Sequence, residues 1–408
     1  MDSKLSDVSG RAYGRETPHS DPLLTETGPG TPAGETLRRY WQPIALSSEA
    51  TDLPKAIRRF GEDLILFRNG HGEAGLLYPR CMHRGTTLLY GIVEEDGIRC
   101  CYHGWKFGCQ GQCLDQPAEP EHGRNRDRIR QPWYPVVEEH GAIWTYMGPP
   151  EKQPLFPIFS CFENLADDEV VHASTGGGGN IPYPEEHNWF QRFDNVTDHF
   201  HIAQLHSLIS GDQFPDPRLN GNVPMDVSWA YSEDKMSALV IATRHLDNGD
   251  AFTVVDQAMM PNIMALAPYF WSPEGITRSI GVFVPWDDTR FSTINFTRDW
   301  KDRPGRTQTP VAKPWSERTL EERQRFPGDY EAQNGQGTIT AHSDEHLAYS
   351  DTGVGMQRRL FKQQVETVAK GGDPLGVAFR EEDRRLNIEA RAWTVSAGSE
   401  HELEPATA

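Results

Sequence analysis

Two Cys/His pairs lie close together in this chain, at Cys81-x-His83 and Cys100-x2-His103. Sixteen residues separate His83 from Cys100. Two thiolates and two imidazoles could bind zinc in a closed tetrahedral site. They could equally bind a two-iron cluster, with the thiolates on one iron and the imidazoles on the other. The spacing predicts two short hairpin loops that face each other across one inorganic centre.

The residues that follow the two pairs favour the two-iron cluster. Arg84-Gly85 follows the first pair and Gly104-Trp105 follows the second, and both dipeptides are untypical of zinc fingers. The stretch from Cys81 to Trp105 closely resembles the Rieske ferredoxin motif. A structural zinc knuckle and two chance pairs are the alternatives.

A second set of potential metal ligands lies further along the chain. On a helix, Asp194, Asp198 and His201 fall at i, i+4 and i+7 and therefore share one face. His206 lies about 140° around an ideal helix from His201, which predicts that the helix bends, bulges or ends there. Two imidazoles and one carboxylate suit Fe(II) and leave positions open for other ligands.

The spacing Asp198-x2-His201-x4-His206 resembles the mononuclear iron motif of Rieske non-haem iron oxygenases. In that family the third ligand is an Asp far downstream. The segment Phe-Pro-Gly-Asp329-Tyr-Glu is similar to the family segment that carries this Asp, so Asp329 is the predicted third ligand. The competing carboxylates are Glu331, Asp344 and Asp351.

Several polar residues near these motifs have more than one interpretation. His199 points off the shared face and is predicted to make a polar contact. Asp194 and Asn195 correspond by family position to residues that support the metal site, although solvated helix residues are an equal alternative. Four cationic residues could bind a substrate carboxylate but are more typical of salt bridges or surface charges: Arg192, Arg244, His245 and Arg278.

The composition limits the classes of protein that the chain can belong to. Its 408 residues predict two or three domains, and 37 glycines with 30 prolines predict many turns. A formal net charge of −19 argues against nonspecific nucleic-acid binding. Two of the six cysteines are candidate cluster ligands and the other four show no even disulfide framework. No signal peptide or membrane-spanning stretch is recognised. These features predict a cytoplasmic protein.

The first half of the chain is predicted to contain a small β domain. Residues 1–22 are polar and predicted to be flexible, and residues 23–42 contain an entry helix that Thr31-Pro32 caps and that continues from Ala33 to Trp41. Short apolar runs and glycine-rich turns in residues 43–150 predict antiparallel strands. Gly148-Pro149-Pro150 predicts the end of this domain.

The second half, residues 151–396, is predicted to form a larger domain. Residues 151–180 are predicted to be a connector, and the runs between 223 and 296 are predicted strands. The proline-rich residues 301–328 are predicted to be an irregular lid or subunit contact. Ser350-Asp351 is predicted to cap a helix that Gly371-Gly372 ends, and residues 397–408 are predicted to be a tail.

Over roughly residues 24 to 395 the chain resembles the large subunit of a Rieske oxygenase. The most similar subgroup is phthalate-dioxygenase-like and includes O-demethylases of methoxylated aromatic acids such as dehydrodivanillate. The resemblance implies an α+β protein with a small antiparallel β Rieske domain and a larger helix-grip catalytic domain, in which an antiparallel sheet packs with helices. It also implies a homotrimer.

The resemblance also implies roles for individual residues. It assigns a [2Fe-2S] cluster to Cys81, His83, Cys100 and His103, and mononuclear Fe(II) to His201, His206 and Asp329. Asp198 would not be a ligand. It would instead link His201 of its own chain to the cluster imidazole His103 of the next chain, as an electron-transfer bridge.

The implied activity is that of a terminal oxygenase. Such an enzyme uses O2 and NAD(P)H-derived electrons to hydroxylate an aromatic substrate, here by O-demethylation or ring hydroxylation of an aromatic carboxylic acid. The chain has no nucleotide-binding fingerprint, so a ferredoxin or flavin reductase must deliver the electrons. A Rieske electron carrier without oxygenase activity and a structural zinc protein are the alternatives.

The family commonly has proline at the positions of Met82 and Cys101.

Overall fold

The computed structural model describes residues 16–176, 181–211, 213–214, 216–268, 274–302 and 313–398. Among these residues, no helix is both long enough and apolar enough to cross a membrane. The flexible segment predicted for residues 1–22 lies partly outside the described residues. From His19 onward the chain is held in place, because the His19 amide donates to Ser343 and Asp21 pairs with Lys362.

Three small antiparallel sheets form the N-terminal half, as the apolar runs predict. Their orders are β1-β10-β9, β2-β3-β4 and β5-β6-β7-β8. The strands are β1 (Trp41–Leu46), β2 (Lys55–Arg59), β3 (Glu62–Arg68), β4 (Ala74–Leu77), β5 (Ile92–Glu94), β6 (Gly97–Arg99), β7 (Lys106–Phe107), β8 (Cys113–Asp115), β9 (Val136–Glu139) and β10 (Ala142–Tyr146). The first Cys/His pair therefore lies between β4 and β5, and the second lies between β6 and β7.

A nine-stranded sheet forms the C-terminal half. Seven strands follow the order β12-β19-β18-β16-β15-β14-β13, β21 pairs with β15 and β17, and β11 pairs with β20 outside this sheet. The strands are β11 (Ile158–Phe159), β12 (Glu169–Thr175), β13 (Met225–Tyr231), β14 (Ser237–His245), β15 (Ala251–Met259), β16 (Ile263–Ala265), β17 (Gly275–Ile276), β18 (Ser279–Asp287), β19 (Arg290–Trp300), β20 (Arg385–Leu386) and β21 (Arg391–Val395).

The sheet extends beyond the predicted strands. Residues 151–180 were expected to be a connector, but β12 within them pairs with β19. Burial of Val171 explains the strand, because an apolar side chain in this run reaches the core. Residues 177–180 lie outside the described part of the chain.

Seven α-helices accompany the sheets in the described residues. They are α1 (Pro22–Thr25), α2 (Pro32–Leu37), α3 (Trp189–Asp194), α4 (Phe200–Ala203), α5 (Leu320–Arg325), α6 (Asp329–Asn334) and α7 (Thr352–Ala369). Thr31 caps α2 as predicted. The helix ends at Leu37 rather than at Trp41, because Trp41 is already paired with Tyr146 in the first sheet.

The long helix α7 packs against the large sheet through one apolar face. Val354, Leu360, Phe361 and Val365 are buried on it. The helix ends before Gly371 as predicted. Asp351 occupies the cap position, but its carboxylate accepts from the Ala348 amide of the preceding turn rather than from the amides of α7.

The segment 301–328 is less irregular than predicted. Residues 303–312 lie outside the described residues, but Thr319 and Glu322 form a capping box at the start of α5. The Trp315 indole donates to Glu331 on α6 at 2.7 Å. This part of the segment is therefore held against the helix that begins with Asp329.

The two halves of the chain share one hydrophobic core. Trp144 on β10 is 1% exposed and stacks on Phe296 of β19, with 4.8 Å between the ring centroids. The amides of Phe60 and Gly61 both donate to backbone carbonyls of β18 at 2.9 Å. The β domain and the large sheet are consequently fixed to each other by backbone as well as by side-chain contacts.

Glu169 links three segments through buried charge pairs. Its carboxylate accepts from Arg298 at 2.9 Å, from the Ala166 amide at 3.0 Å and from Arg278 at 2.7 Å. The hydrogen bond from Arg298, aided by Ala166 and Arg278, lowers the pKa of Glu169 from 4.5 to about 2. Since the folded-state pKa lies below the unfolded value, this stabilisation is present above pH 4.5 and is lost as the pH falls toward 2.

We expect Glu169→Gln to lower the free energy of unfolding at pH 7 by about 3 kcal/mol, because both arginines lose their charged partner. Denaturant unfolding should show that the deficit narrows below pH 4.5. Glu163→Gln is the matched control, because Glu163 pairs with the more exposed Arg385 and should cost under about 1 kcal/mol. An equal Glu169→Gln deficit at pH 7 and pH 3.5 would contradict the assigned role of charge.

Candidate metal centres

The two Cys/His loops have the same backbone turn. The Gly85 amide donates to the Cys81 carbonyl at 2.8 Å, and the Gly104 amide donates to the Cys100 carbonyl at 3.1 Å. Both glycines have positive φ, +79° and +74°, which disfavours side chains. The glycine in each motif is therefore needed to close the turn that carries a Cys/His pair.

The loops bring their four potential ligands to one place. The His83 and His103 rings lie 4.5 Å apart, and Trp105 stacks flat on His83 with 4.4 Å between ring centroids. Cys81 and Cys100 are each 3% exposed. Burial, together with the nearby Cys100, raises the pKa of Cys81 to about 11, although the amide of His83 opposes this rise. Metal binding is what would keep such thiols deprotonated.

Met82 has a structural function that proline could not provide. Its backbone amide donates to Gln131 at 3.0 Å. The Gln131 side-chain amide in turn donates to the carbonyls of Tyr78 and Arg80 at 2.8 and 2.9 Å. Proline lacks the amide hydrogen and could not make this bond. Met82 therefore allows Gln131 to hold the first loop in place. Cys101 is exposed.

The second motif does not lie on one continuous helix. α3 ends at Asp194, a 3-10 turn follows at Asn195–Thr197, and Asp198 is extended with φ −93° and ψ 101°. The prediction that Asp194, Asp198 and His201 share one helical face is therefore wrong. The irregularity predicted near His206 is present, because α4 passes into a π-helix at Gln204–Ile209. This wider turn places His206 beside His201.

His201, His206 and Asp329 form a candidate metal site. Their ligand atoms all lie within 4.8 Å of one another. Oδ1 of Asp329 is 3.2 Å from Nε2 of His206 and 3.6 Å from Nε2 of His201. Apart from the Cys/His loops, no other group of three His, Cys, Asp or Glu ligand atoms this close together occurs in the part of the chain that the structure describes. The donor set fits Fe(II), as the sequence motif suggests.

Hydrogen bonds orient both imidazoles toward Asp329. The Nδ1 atom of His206 contacts Oε1 of Gln213 at 2.8 Å, and Nδ1 of His201 contacts the backbone carbonyl of Asp198. If each Nδ1 carries the hydrogen, each Nε2 lone pair faces the site, which is how hydrogen bonds to the other ring nitrogen usually orient a metal-binding histidine. The sequence motif did not identify Gln213, because a glutamine in a loop has no distinctive spacing.

Asp329 is the first residue of α6 and remains charged despite burial. Burial alone would raise its pKa, but Arg192 and then the two imidazoles outweigh that effect and hold the pKa well below its usual range. Oδ2 pairs with Arg192 at 3.3 Å, and Oδ1 accepts from Asn195 at 3.3 Å. An ionised carboxylate is the form that binds a metal.

Asp198 and Asp194 have different surroundings. The Asp198 carboxylate accepts from the Phe200 amide at 3.0 Å and lies 3.6 Å from Nδ1 of His201, and 30% of its side chain is exposed. Asp194 instead pairs with Arg358 on α7 at 2.6 Å. Burial raises the pKa of Asp194 to about 6 although Arg358 opposes this. Of the two residues assigned by family position, Asn195 contacts Asp329 and Asp194 contacts Arg358.

Several other residues that the sequence offered as metal ligands or substrate contacts are paired with side chains outside the three-ligand site, with Arg192 as the exception. Glu331 accepts from Trp315, and His199 makes the predicted polar contact by accepting from Arg244 at 2.9 Å. Arg278 pairs with Glu169. His245 pairs with Asp226. Arg192, His245 and Arg278 therefore have carboxylate partners, in agreement with the salt-bridge interpretation, whereas Arg244 donates a hydrogen bond to His199.

A cavity of about 190 Å³ lies next to His206. Phe214, Pro217 and Leu219 provide apolar surface, while Ser207, Asp216 and Asn220 provide polar groups. Asp216 is paired with Arg218 at 2.7 Å. A small organic molecule in this cavity would contact His206, one of the three candidate ligands.

Comparisons with known proteins agree with this architecture. Residues 40–135 match the model of the Rieske [2Fe-2S] domain. The phenoxybenzoate dioxygenase subunit alpha of Ectopseudomonas oleovorans is 44% identical over 93% of this chain and 93% of its own. The tert-butanol monooxygenase / tert-amyl alcohol desaturase oxygenase subunit of Aquincola tertiaricarbonis is 37% identical over 84% and 76% of the two chains.

A further relative, the 5,5'-dehydrodivanillate O-demethylase oxygenase subunit of Sphingobium sp. (strain NBRC 103272 / SYK-6), is 31% identical over 87% of this chain and 81% of its own. In fold, the chain is similar to dicamba monooxygenase bound to dicamba, with a TM-score of 0.57 and 17% identity over 82% and 99% of the two chains.

The candidate metal centres and the α+β fold are those expected of a Rieske-type oxidoreductase. The chain belongs to the Rieske non-haem iron oxygenases and is a large, oxygenase subunit of that family. Its cofactors are a Rieske [2Fe-2S] cluster and non-haem iron, supplied with electrons by a partner reductase. The predictions of family, fold class, cofactors and O2-dependent activity are confirmed, and the electron-carrier and zinc-protein alternatives are wrong.

The two loop glycines provide a matched test of the cluster site. A Cβ at Gly104 would lie 2.7 Å from Cγ of Pro117, whereas a Cβ at Gly85 would meet nothing within 4 Å. Both alanine variants should lose about 1 to 2 kcal/mol to backbone strain. Only Gly104→Ala should also lose cluster, measured as visible absorbance per chain. Equal cluster contents in the two variants would contradict the structure of this loop.

Proposed function

We propose that this oxygenase binds its cluster through Cys81, His83, Cys100 and His103, and its mononuclear Fe(II) through His201, His206 and Asp329. The observation that carries the proposal is the convergence of those last three side chains beside a cavity. When bound, the iron supplies activation of O2 for hydroxylation. The protein contributes ligand orientation and a binding cavity.

The chain prepares the iron site through hydrogen bonds and charge. Gln213 and the Asp198 carbonyl fix the imidazoles, and Arg192 keeps Asp329 ionised. The cavity next to His206 orients the substrate, with Phe214 and Leu219 as its apolar wall. A substrate bound there displaces water from the neighbourhood of the reacting carbon.

We propose an aromatic carboxylic acid as the substrate, converted by O-demethylation or ring hydroxylation. The names of the phenoxybenzoate and dehydrodivanillate enzymes support this class, and the tert-butanol enzyme marks a smaller alcohol as the second candidate. The apolar wall of the cavity suits either substrate. Arg192, Arg244, His245 and Arg278 already have partners, so we do not place the substrate carboxylate on any of them.

We further propose a homotrimer in which Asp198 links His201 to His103 of the next subunit. The carboxylate of Asp198 is 30% exposed and lies next to His201, which would allow a neighbouring chain to reach it. A hydrogen-bonded carboxylate between two imidazoles would shorten the path for the electron. The ferredoxin or flavin reductase would act in the cytoplasm, a reducing compartment that suits six cysteines none of which forms a disulfide.

The substrate class is tested by turnover with a surrogate reductase and NADH. We expect phenoxybenzoates and methoxybenzoates to stimulate O2 uptake, with formaldehyde released only if a methoxy group is attacked. Each reaction should stop when the reductase is omitted. Stimulation by tert-butanol but by no aromatic acid would favour the second candidate and contradict the first.

The role of Asp198 is tested by Asp198→Asn. We expect both metals to remain bound while turnover falls by about 100-fold, because the electron path is lost. Metal analysis and steady-state O2 uptake measure the two effects separately. Asp226→Asn is the control, because Asp226 is exposed and pairs only with His245 in the described contacts. Unchanged turnover in Asp198→Asn would refute the bridge.

A further inference from the structure

Arg192 lies on α3 and faces the candidate iron-binding carboxylate. Its Nη1 atom is 3.3 Å from Oδ2 of Asp329, and only 16% of its side chain is exposed. The other oxygen, Oδ1, faces the Nε2 atoms of His206 and His201. The two oxygens of Asp329 therefore have separate partners.

A second carboxylate, Glu185, is near enough to interact with the charge of Arg192. Glu185 is 2% exposed, and its Oε1 accepts from Thr293 at 3.4 Å. Burial raises the pKa of Glu185 to about 7, and the charge of Arg192 opposes that rise. The guanidinium is thus attracted by Glu185 as well as by Asp329.

We propose that Arg192 is a positioning residue that holds Oδ2 of Asp329 and thereby keeps Oδ1 directed at the two imidazoles before iron binds. This inference rests on the proposed function of His201, His206 and Asp329 as iron ligands. Asn195 supports the same arrangement by donating to Oδ1 at 3.3 Å. The carboxylate then needs little reorientation on binding, which favours affinity.

Charge and position predict opposite effects of removing Arg192. A cation beside a dication repels it, so at a pH where Asp329 stays ionised in both proteins, loss of the guanidinium charge alone would strengthen Fe(II) binding. Loss of positioning would weaken Fe(II) binding, because Asp329 could rotate away from the imidazoles. The sign of the change in Fe(II) affinity therefore shows whether Arg192 positions Asp329 or acts only as a nearby positive charge.

The experiment measures Fe(II) affinity of the full-length, cluster-loaded protein by equilibrium dialysis against a chelator. We expect Arg192→Gln to bind mononuclear Fe(II) about 10 to 100 times more weakly than the wild type. Arg192→Lys keeps the charge but not the planar fork of donors, and should recover part of the affinity. Cluster absorbance and thermal unfolding monitor folding in the same samples.

Arg358→Gln is the matched control. Arg358 is 13% exposed and pairs with Asp194 and Glu345, so it is a similarly enclosed arginine that does not contact the three ligands. Its substitution should lower stability and leave Fe(II) affinity at the wild-type value. If Arg192→Gln does not fold, Arg192→Lys carries the test, because weaker binding at unchanged charge is then the expected result.

Fe(II) binding by Arg192→Gln that equals or exceeds the wild type would overturn the inference, as would wild-type affinity in Arg192→Lys. His201→Ala separates this failure from failure of the proposed function. Loss of mononuclear iron in His201→Ala supports the site itself. Retention of that iron in His201→Ala would show that the proposed ligand set is wrong, whatever Arg192 does.

Discussion

The ion pair between Arg192 and Asp329 is the interaction on which the catalytic half of the structure depends. A partly buried carboxylate that stays charged needs compensation, and here one oxygen faces a guanidinium while the other faces two imidazoles. α3 and α6 must therefore meet, although their sequences are far apart. The π-helix that carries His206 is consistent with the same requirement, because a regular helix would direct that imidazole elsewhere.

The cluster loops satisfy a different constraint, which is mainly conformational. Gly85 and Gly104 permit the same turn in both loops, and stacking of Trp105 on His83 fixes one imidazole. Gln131 fastens the first loop through the amide of Met82. These contacts are local to the small β domain, whereas the candidate iron site needs residues from two segments that lie far apart in the sequence.

The sequence predicted what depends on local spacing. The Cys/His pairs, the π-helix irregularity near His206 and the cap at Thr31 follow from residue types within a few positions of each other. Prediction from the sequence failed where tertiary contacts decide the conformation. Asp198 breaks the predicted helix, and β12 forms because β19 is available as a partner. Gln213 and Arg192 were not assigned to the ligands for the same reason.

The most direct test follows the cluster after it is reduced anaerobically and mixed with O2 and an aromatic substrate. In the wild type, the visible absorbance of the oxidised cluster should return rapidly, because its electron is consumed at the mononuclear site. In His206→Ala, with cluster content unchanged, the cluster should stay reduced over the same period. Equally fast reoxidation in the two proteins would contradict the proposal that His201, His206 and Asp329 form the site that this cluster supplies.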